Sequence, residues 1–218
     1  MKTQIRFLTL SAGLILGVAL PALGQIIYSN GPLDDDVDAW TINQGFVVSD
    51  TFTVSQGTSQ INGVVFNGWV FPGDVLDSVE VAITSSEFGG TTYFNQQINF
   101  TQSQCSVNAY GFNVCEETGH FNGPTLGNGT YWLNLSNAMV NDGDPIYWDE
   151  NSGEGCNSPG CPSQASENSV GTIPSESFTI LGNATSSSGG TVPEPGSLTL
   201  LGCGFFAIVG TLRRRLRL

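Results

Sequence analysis

Charge segregation constrains this chain more than any other feature of its sequence. The segment from Gln25 to Pro195 contains no Lys and no Arg, yet it holds all 19 acidic residues, so its formal net charge is −19. The six basic residues all lie in the two terminal segments. Mutual repulsion among the carboxylates opposes compaction of the acidic segment. A stable fold must therefore depend on core burial, hydrogen bonds, disulfides or bound cations.

The same charge distribution excludes two classes of partner. Proteins bind nucleic acid largely through Lys and Arg contacts to phosphate, and the acidic segment has neither residue. Anionic lipid surfaces attract basic segments for the same reason. We therefore expect no nucleic-acid partner and no direct adhesion of this segment to anionic lipid.

The acidic segment shows the pattern of an all-β protein. Short apolar-alternating runs are separated by turn-forming sequences such as "FPGD", "FGG", "LGNG" and "NDGD", and no long helical periodicity occurs. This pattern predicts a single antiparallel β-sandwich domain over residues 25–182, with a jelly-roll-like arrangement as the best candidate. The runs that predict strands are 45–54, 61–71, 77–84, 91–100, 114–121, 129–136, 145–150 and 175–182.

Two pairs of adjacent aromatic residues are candidates for a binding surface. Neighbours on a strand point to opposite faces, so one member of Tyr131 and Trp132, and one of Tyr147 and Trp148, should lie outside the core. An exposed aromatic ring such as Tyr131, Trp132 or Trp148 could stack on a sugar ring. Packing beneath a surface loop is the alternative explanation.

Four cysteines of the acidic segment predict two disulfides. Cys105 and Cys115 enclose nine residues, and Cys156 and Cys161 enclose four. In an exported chain, local pairing within each couple is the favoured choice among three connectivities. Zinc is the alternative, but the spacings do not match a zinc motif and the sole histidine, His120, is distant from the second couple in sequence.

Both ends of the sequence resemble targeting segments. Residues 1–24 have Lys2 and Arg6 ahead of an apolar stretch and end in Ala22-Leu23-Gly24, which predicts a signal peptide cut after Gly24 and export through the Sec translocon. An uncleaved anchor is the alternative. Residues 183–191 have the composition of a flexible Gly/Ser/Thr linker.

The C-terminal segment, residues 192–218, has three parts in a fixed order. Pro193, Glu194 and Pro195 precede an uncharged apolar stretch, which predicts a single transmembrane helix over about 197–212. The positive-inside rule then places the basic end in the cytoplasm and the acidic domain outside. That basic end contains Arg213, Arg214, Arg215 and Arg217.

This three-part tail, "VPEPGSLTLLGCGFFAIVGTLRRRLRL", resembles the sorting signal of the PEP-CTERM family. The resemblance implies processing by an exosortase, a membrane cysteine protease or transpeptidase of Gram-negative bacteria that make exopolysaccharide. Cleavage is then expected near Pro193, Glu194 and Pro195, after transient anchorage in the inner membrane. It also implies release of the acidic domain to the cell surface or extracellular matrix.

A calcium site is a further candidate near the start of the acidic segment. Asp34, Asp35, Asp36 and Asp38 offer hard oxygen ligands at short spacing, which suits Ca²⁺, although the pattern is not an EF-hand. The acidic runs "NDGD" at 141–144 and "WDEN" at 148–151 could complete such a site in space. An exposed, solvated acidic loop is the alternative.

The sequence offers little support for catalysis. No nucleophile-elbow motif accompanies His120, and no pair among the many carboxylates is singled out by a motif. We therefore expect a non-enzymatic, exported protein that acts at the cell envelope or in the exopolysaccharide matrix, as a structural or binding component. The alternatives are an extracellular carbohydrate-binding module and, less favoured, a secreted carboxylate-dependent glycoside hydrolase.

Overall fold

The fold is built entirely from β-strands in the part of the chain that the structure describes. The computed structural model describes residues 24–33 and 38–185, where it shows thirteen strands and no helix. The strands are Gln25–Ser29 (β1), Ala39–Thr41 (β2), Val47–Val54 (β3), Thr58–Val70 (β4), Leu76–Ser86 (β5), Gly89–Val107 (β6), Asn113–His120 (β7), Thr125–Leu126 (β8), Gly129–Val140 (β9), Tyr147–Asp149 (β10), Ala165–Glu167 (β11), Gly171–Ile173 (β12) and Phe178–Thr185 (β13).

The strands form one antiparallel sheet that curls into a half-barrel. Their order along the main path is β1-β13-β4-β7-β6-β5-β9-β3-β11-β12, with β2, β8 and β10 attached beside it. The curl brings β1 into contact with β3, and the rings of Tyr28 and Phe52 lie 6.5 Å apart across this contact. The predicted all-β antiparallel class is thus confirmed.

The long strand β6 explains why the sheet is continuous. Its first half pairs with β5 from Asn99 back to Gly89, and its second half pairs with β7 from Phe100 to Val107. Because β6 pairs with β5 along one half and with β7 along the other, the strands form one curled sheet instead of the two separate sheets expected of a sandwich. The sequence predicts a strand only over 91–100, because the polar residues after Phe100 show no apolar alternation.

The core lies inside the curl and follows the strand alternation. On β5, Val79, Val81 and Ile83 are fully buried, as their alternation predicts. Trp148 packs edge-on against Phe66, with ring centroids 6.0 Å apart. Large apolar side chains thus fill the space that the curl encloses, and their burial supplies the main driving force for folding.

The first described strand begins at Gln25 and the last ends at Thr185. Strand β1 begins at Gln25, directly after the expected signal-peptide cut. Strand β13 continues to Thr185, past residue 182, because its last residues pair with the start of β4 from Thr58 to Gln60.

Several predicted segments lie outside the described residues. They are the signal peptide up to residue 23, most of the linker, the Pro-Glu-Pro motif, the apolar stretch at 197–212 and the arginine-rich end. Within residues 24–33 and 38–185, there is no helix with the length and apolar character needed to cross a bilayer.

Candidate functional site

A groove of about 570 Å³ runs beside strands β9, β11 and β12. We call it the polar groove, because several hydroxyl groups, one amide and one carboxylate contribute to its lining, beside one tryptophan and four smaller apolar residues. Its volume is within the range of small-ligand sites. The residues that line it are Glu87, Trp132, Ser152, Pro162, Ser163, Gln164, Ala165, Ser166, Thr172, Ile173, Pro174 and Ser175.

Strand alternation places Trp132 in the polar groove. Leu133 and Leu135 of β9 are fully buried in the core, so Trp132 and Asn134 point to the other face of the sheet. Trp132 is paired with Thr51 of β3 on one side. Its ring is only partly buried, which leaves an aromatic surface available to a ligand.

Asn134 fixes the turn that carries Glu87. Its Nδ2 donates to Thr84 Oγ1 at 2.9 Å, and its Oδ1 accepts from the backbone N–H of Phe88 at 3.3 Å. Asn134 is itself 5% exposed, so these bonds are shielded from water. The turn after β5 is therefore held close to Trp132, with Glu87 in the groove lining.

The opposite wall is held by hydrogen bonds from the segment that leads into β11. The backbone N–H of Gln164 donates to Thr51 Oγ1 at 2.9 Å, and Gln164 O accepts from the Thr51 N–H at 3.1 Å. Glu167 Oε2 accepts three hydrogen bonds from the turn that follows, including one from Ser169 Oγ at 2.6 Å. Both ends of β11 are thus fixed, so the groove is preformed.

Two buried carboxyl groups lie next to the groove wall. The backbone N–H of Glu176, which follows the groove residue Ser175, donates to Asp50 Oδ2 at 2.8 Å. Burial raises the pKa of Asp50 to about 7, although this hydrogen bond lowers it. Burial, and next the charge of Asp50, raise the pKa of Glu176 well above its ordinary value. Both side chains are fully buried, so they support the wall rather than face a ligand.

The aromatic candidates fall in different environments. Trp132 lies in the polar groove, whereas Tyr131 packs toward the core with its ring 5.8 Å from Phe52. The hypothesis that Trp148 is exposed is wrong: it is fully buried, and its Nε1 donates to Ser177 O at 2.9 Å. Its neighbour Tyr147 is the outward member of that pair, as the alternation requires.

Tyr147 contributes to a second depression, which we call the aromatic cleft. Its volume is about 350 Å³, and it is lined by Asp38, Ala39, Trp69, Tyr110, Phe112 and Tyr147. The ring of Phe112 lies 5.7 Å from that of Tyr147 and 5.8 Å from that of Trp69. Most of these rings contact one another, whereas the ring of Tyr110 is largely exposed.

The acidic candidates are only partly described. Asp34, Asp35 and Asp36 lie outside the described residues, whereas Asp38 is exposed at the aromatic cleft. Asp38 O accepts from the backbone N–H of Glu150 at 3.2 Å, so Asp38 lies beside the "WDEN" run.

Both cysteine couples form disulfides in the pairing predicted from the sequence. Cys105 and Cys115 are bonded across β6 and β7, and Cys156 and Cys161 are bonded in the loop that precedes β11. These bonds indicate an oxidising, extracytoplasmic location. The remaining titratable candidate, His120, is exposed at the end of β7.

Other predicted functional residues lie outside the described part of the chain, namely Pro193, Glu194, Pro195, Arg213, Arg214, Arg215 and Arg217. The structure adds groove residues that the sequence does not single out. Gln164, Ser166 and Ser175 belong to Ser-rich stretches that resemble ordinary loops, and only the pairing of β11 with β3 brings them to Trp132.

Comparisons with known proteins give no family for this chain. No protein-family model matches it, and no curated protein matches it.

Proposed function

We propose that this protein is an exported, non-enzymatic binding protein of the cell envelope or exopolysaccharide matrix, and that it binds a neutral glycan in the polar groove. The observation that carries the proposal is the position of Trp132 among hydroxyl and amide groups. Binding sites for small ligands combine such an apolar surface with a few fixed polar groups. A sugar ring presents both an apolar face and a rim of hydroxyls, and therefore matches this lining.

The absence of basic residues around the polar groove, in the part of the chain that the structure describes, favours a neutral ligand. No Lys or Arg occurs between Gln25 and Pro195, so an anionic sugar or a phosphate would find no cationic side chain there. Glu87, Gln164 and Ser166 instead offer acceptors and donors that suit sugar hydroxyls. The charge thus favours a neutral polysaccharide over an acidic one.

The lining also favours binding over hydrolysis. Glycoside hydrolases of the common types use two carboxyl groups that flank the scissile bond. Among the described residues that line the polar groove, Glu87 is the one acidic side chain. We therefore propose recognition without cleavage.

The scaffold suits this function. We propose that the curled sheet is a variant of the jelly-roll-like sandwich expected from the sequence. Strands β3 and β9 hold one side of the groove rigidly through eight paired residues each. A rigid scaffold limits the ordering cost of ligand binding.

The C-terminal segment, residues 192–218, supports the proposed location of the protein. Its resemblance to PEP-CTERM signals implies export, transient anchorage and exosortase processing, and the two disulfides support an oxidising compartment. Exopolysaccharide is then both the surrounding material and the candidate ligand.

Glycan-array binding by the oxidised full-length chain tests the binding proposal. We expect saturable binding to a subset of neutral glycans, and much weaker binding by W132A. Equal or absent signal across all glycans would overturn glycan recognition and leave a purely structural role.

Mass spectrometry of the native protein tests the sorting proposal separately. We expect an N-terminus at Gln25 and a C-terminus near Pro195. A mature protein that keeps Arg217 would contradict processing and favour a permanent anchor.

A further inference from the structure

Two loops meet at one end of the pairing between β5 and β9. The loop after β4 carries Asp74, and the loop after β9 carries Asp142 and Asp144. Asn141 joins the loops, because its Oδ1 accepts from the Val75 N–H at 2.9 Å and its own N–H donates to Val75 O at 3.2 Å. The strand register thus brings together carboxylates that are far apart in sequence.

The carboxylates of this cluster have the spacing of metal ligands. One oxygen from each of Asp74, Asp142 and Asp144 lies within 4.8 Å of the other two. Oxygens bound to the same Ca²⁺ at about 2.3–2.6 Å lie at most about 5 Å apart. A single ion can therefore contact all three with little movement of the loops.

Asp74 provides an independent sign that a ligand belongs here. Its side chain is only 8% exposed, and its Oδ2 is buried without a hydrogen-bond partner. An unpartnered carboxylate oxygen is costly to bury. The segment from Gln25 to Pro195 has no Lys or Arg that could balance the charges of this cluster.

The cluster is also preformed and open to solvent on one side. Gly143 adopts φ +88° and donates to Val140 O at 3.1 Å, which closes the turn between the two aspartates. Asn43 Nδ2 donates to Asp144 O at 2.9 Å and fixes the far end of the turn. Asp142 is exposed, so an ion can enter and keep several water ligands.

We propose that Asp74, Asp142 and Asp144 form a Ca²⁺ site that ties the loop after β4 to the loop after β9. Calcium fits better than magnesium, because calcium accepts six to eight oxygens in flexible geometry whereas magnesium demands near-ideal octahedral geometry at shorter distances. Three carboxylates completed by water resemble the weaker extracellular class of sites, with Kd on the order of 10⁻⁴–10⁻³ M.

Isothermal titration of the metal-free, full-length chain with CaCl₂, and separately with MgCl₂, tests this site. We expect saturable calcium binding with one ion per chain at this cluster, weaker magnesium binding, and a higher melting temperature with calcium. D142N should weaken calcium binding at least tenfold. Asp142 is exposed, so this variant should fold normally.

D77N is the matched control, because Asp77 is an exposed aspartate on the adjacent strand β5 and lies outside the cluster. It should leave calcium affinity within about twofold of the wild type. The proposal is overturned if millimolar calcium gives neither saturable heat nor a melting shift. It is equally overturned if D77N and D142N weaken binding alike, since that result indicates general charge screening.

Discussion

Asp50 is a buried acidic residue in a segment that offers no Lys or Arg as a partner. It is fully buried on β3, and one of its oxygens accepts from the Glu176 N–H at 2.8 Å. Burial raises the pKa of Asp50 to about 7 from an ordinary value of 3.8. The neutral form is therefore favoured in the folded state, and ionisation above pH 7 leaves an uncompensated buried charge.

Asp50→Asn should stabilise the protein at alkaline pH. The amide keeps an oxygen that can accept from the Glu176 N–H but carries no charge, so we expect the free energy of unfolding at pH 8 to rise by at least about 1 kcal/mol. At pH 4 the difference should largely vanish. Urea denaturation at both pH values measures the effect, with D77N as the exposed control. A D50N variant that is less stable at pH 8 would contradict this account of Asp50.

At the residue scale, the sequence correctly predicts the features that depend only on the alternation of side chains along a strand. The rule that one of two adjacent aromatics points outward holds at Tyr131 and Trp132 and at Tyr147 and Trp148. Which member is outward was not predictable, because it depends on which face of each strand meets the core. Trp148 was therefore assigned wrongly, whereas Trp132 was a correct candidate for an accessible ring.

At the scale of elements, the hairpin of β6 and β7 combines a long exposed strand with a covalent link. Cys105 and Cys115 join its two strands near the turn, with a sequence separation of 10. Tyr110 and Phe112 of the aromatic cleft lie within the closed loop. The disulfide thus limits the freedom of a segment that buries few apolar side chains of its own.

Replacing Cys105 and Cys115 together by alanine should lower the free energy of unfolding by about 3 kcal/mol, on the chain-entropy estimate for a loop of this length. Replacing Cys156 and Cys161 should cost about 2 kcal/mol, since that loop spans only 5 residues. Chemical denaturation of both double variants measures the difference. A larger loss from the second variant would mean that local packing, rather than loop closure, dominates.

The sequence predicts the long strands and also the short β10, which lies within the predicted run 145–150, but it does not predict β11 and β12. The sequence places strands near β3, β4, β5, β7 and β9 because each carries alternating apolar residues. Strands β11 and β12 have only three residues each, too few to show an alternating apolar pattern, so they resemble loops until their pairing is known. The polar groove depends on these two short strands, which is why the sequence identifies Trp132 but not its surroundings.

For the whole molecule, the pKa shifts predict stability that falls as pH rises. Burial raises the pKa of Asp50 and of Glu117 to about 7, although a hydrogen bond from Gln102 lowers that of Glu117. Between about pH 4 and pH 7 the folded state keeps protons that the unfolded state has released. The free energy of unfolding should therefore fall across this range, by an amount on the order of a few kcal/mol, and level off above it.

Urea denaturation from pH 4 to pH 8 at constant ionic strength, with EDTA present, measures this profile. A maximum of stability near pH 8 would contradict it. The repulsion expected from the net charge of −19 between Gln25 and Pro195 acts in the same direction, and only the component from Asp50 should disappear in the D50N variant.

The central claim is that a glycan binds in the polar groove against Trp132. Its most direct test is titration of W132A, W132F and Y110A with a neutral glycan that binds the wild type, after their melting temperatures show that all three are folded. Tyr110 is 67% exposed and lines the aromatic cleft, so Y110A is a matched control at a different surface.

We expect W132A to lose at least tenfold in affinity, about 1.4 kcal/mol. W132F should retain most of the affinity because it keeps an aromatic face, and Y110A should match the wild type. Unchanged binding by W132A, or a loss confined to Y110A, would contradict the claim and place recognition outside the polar groove.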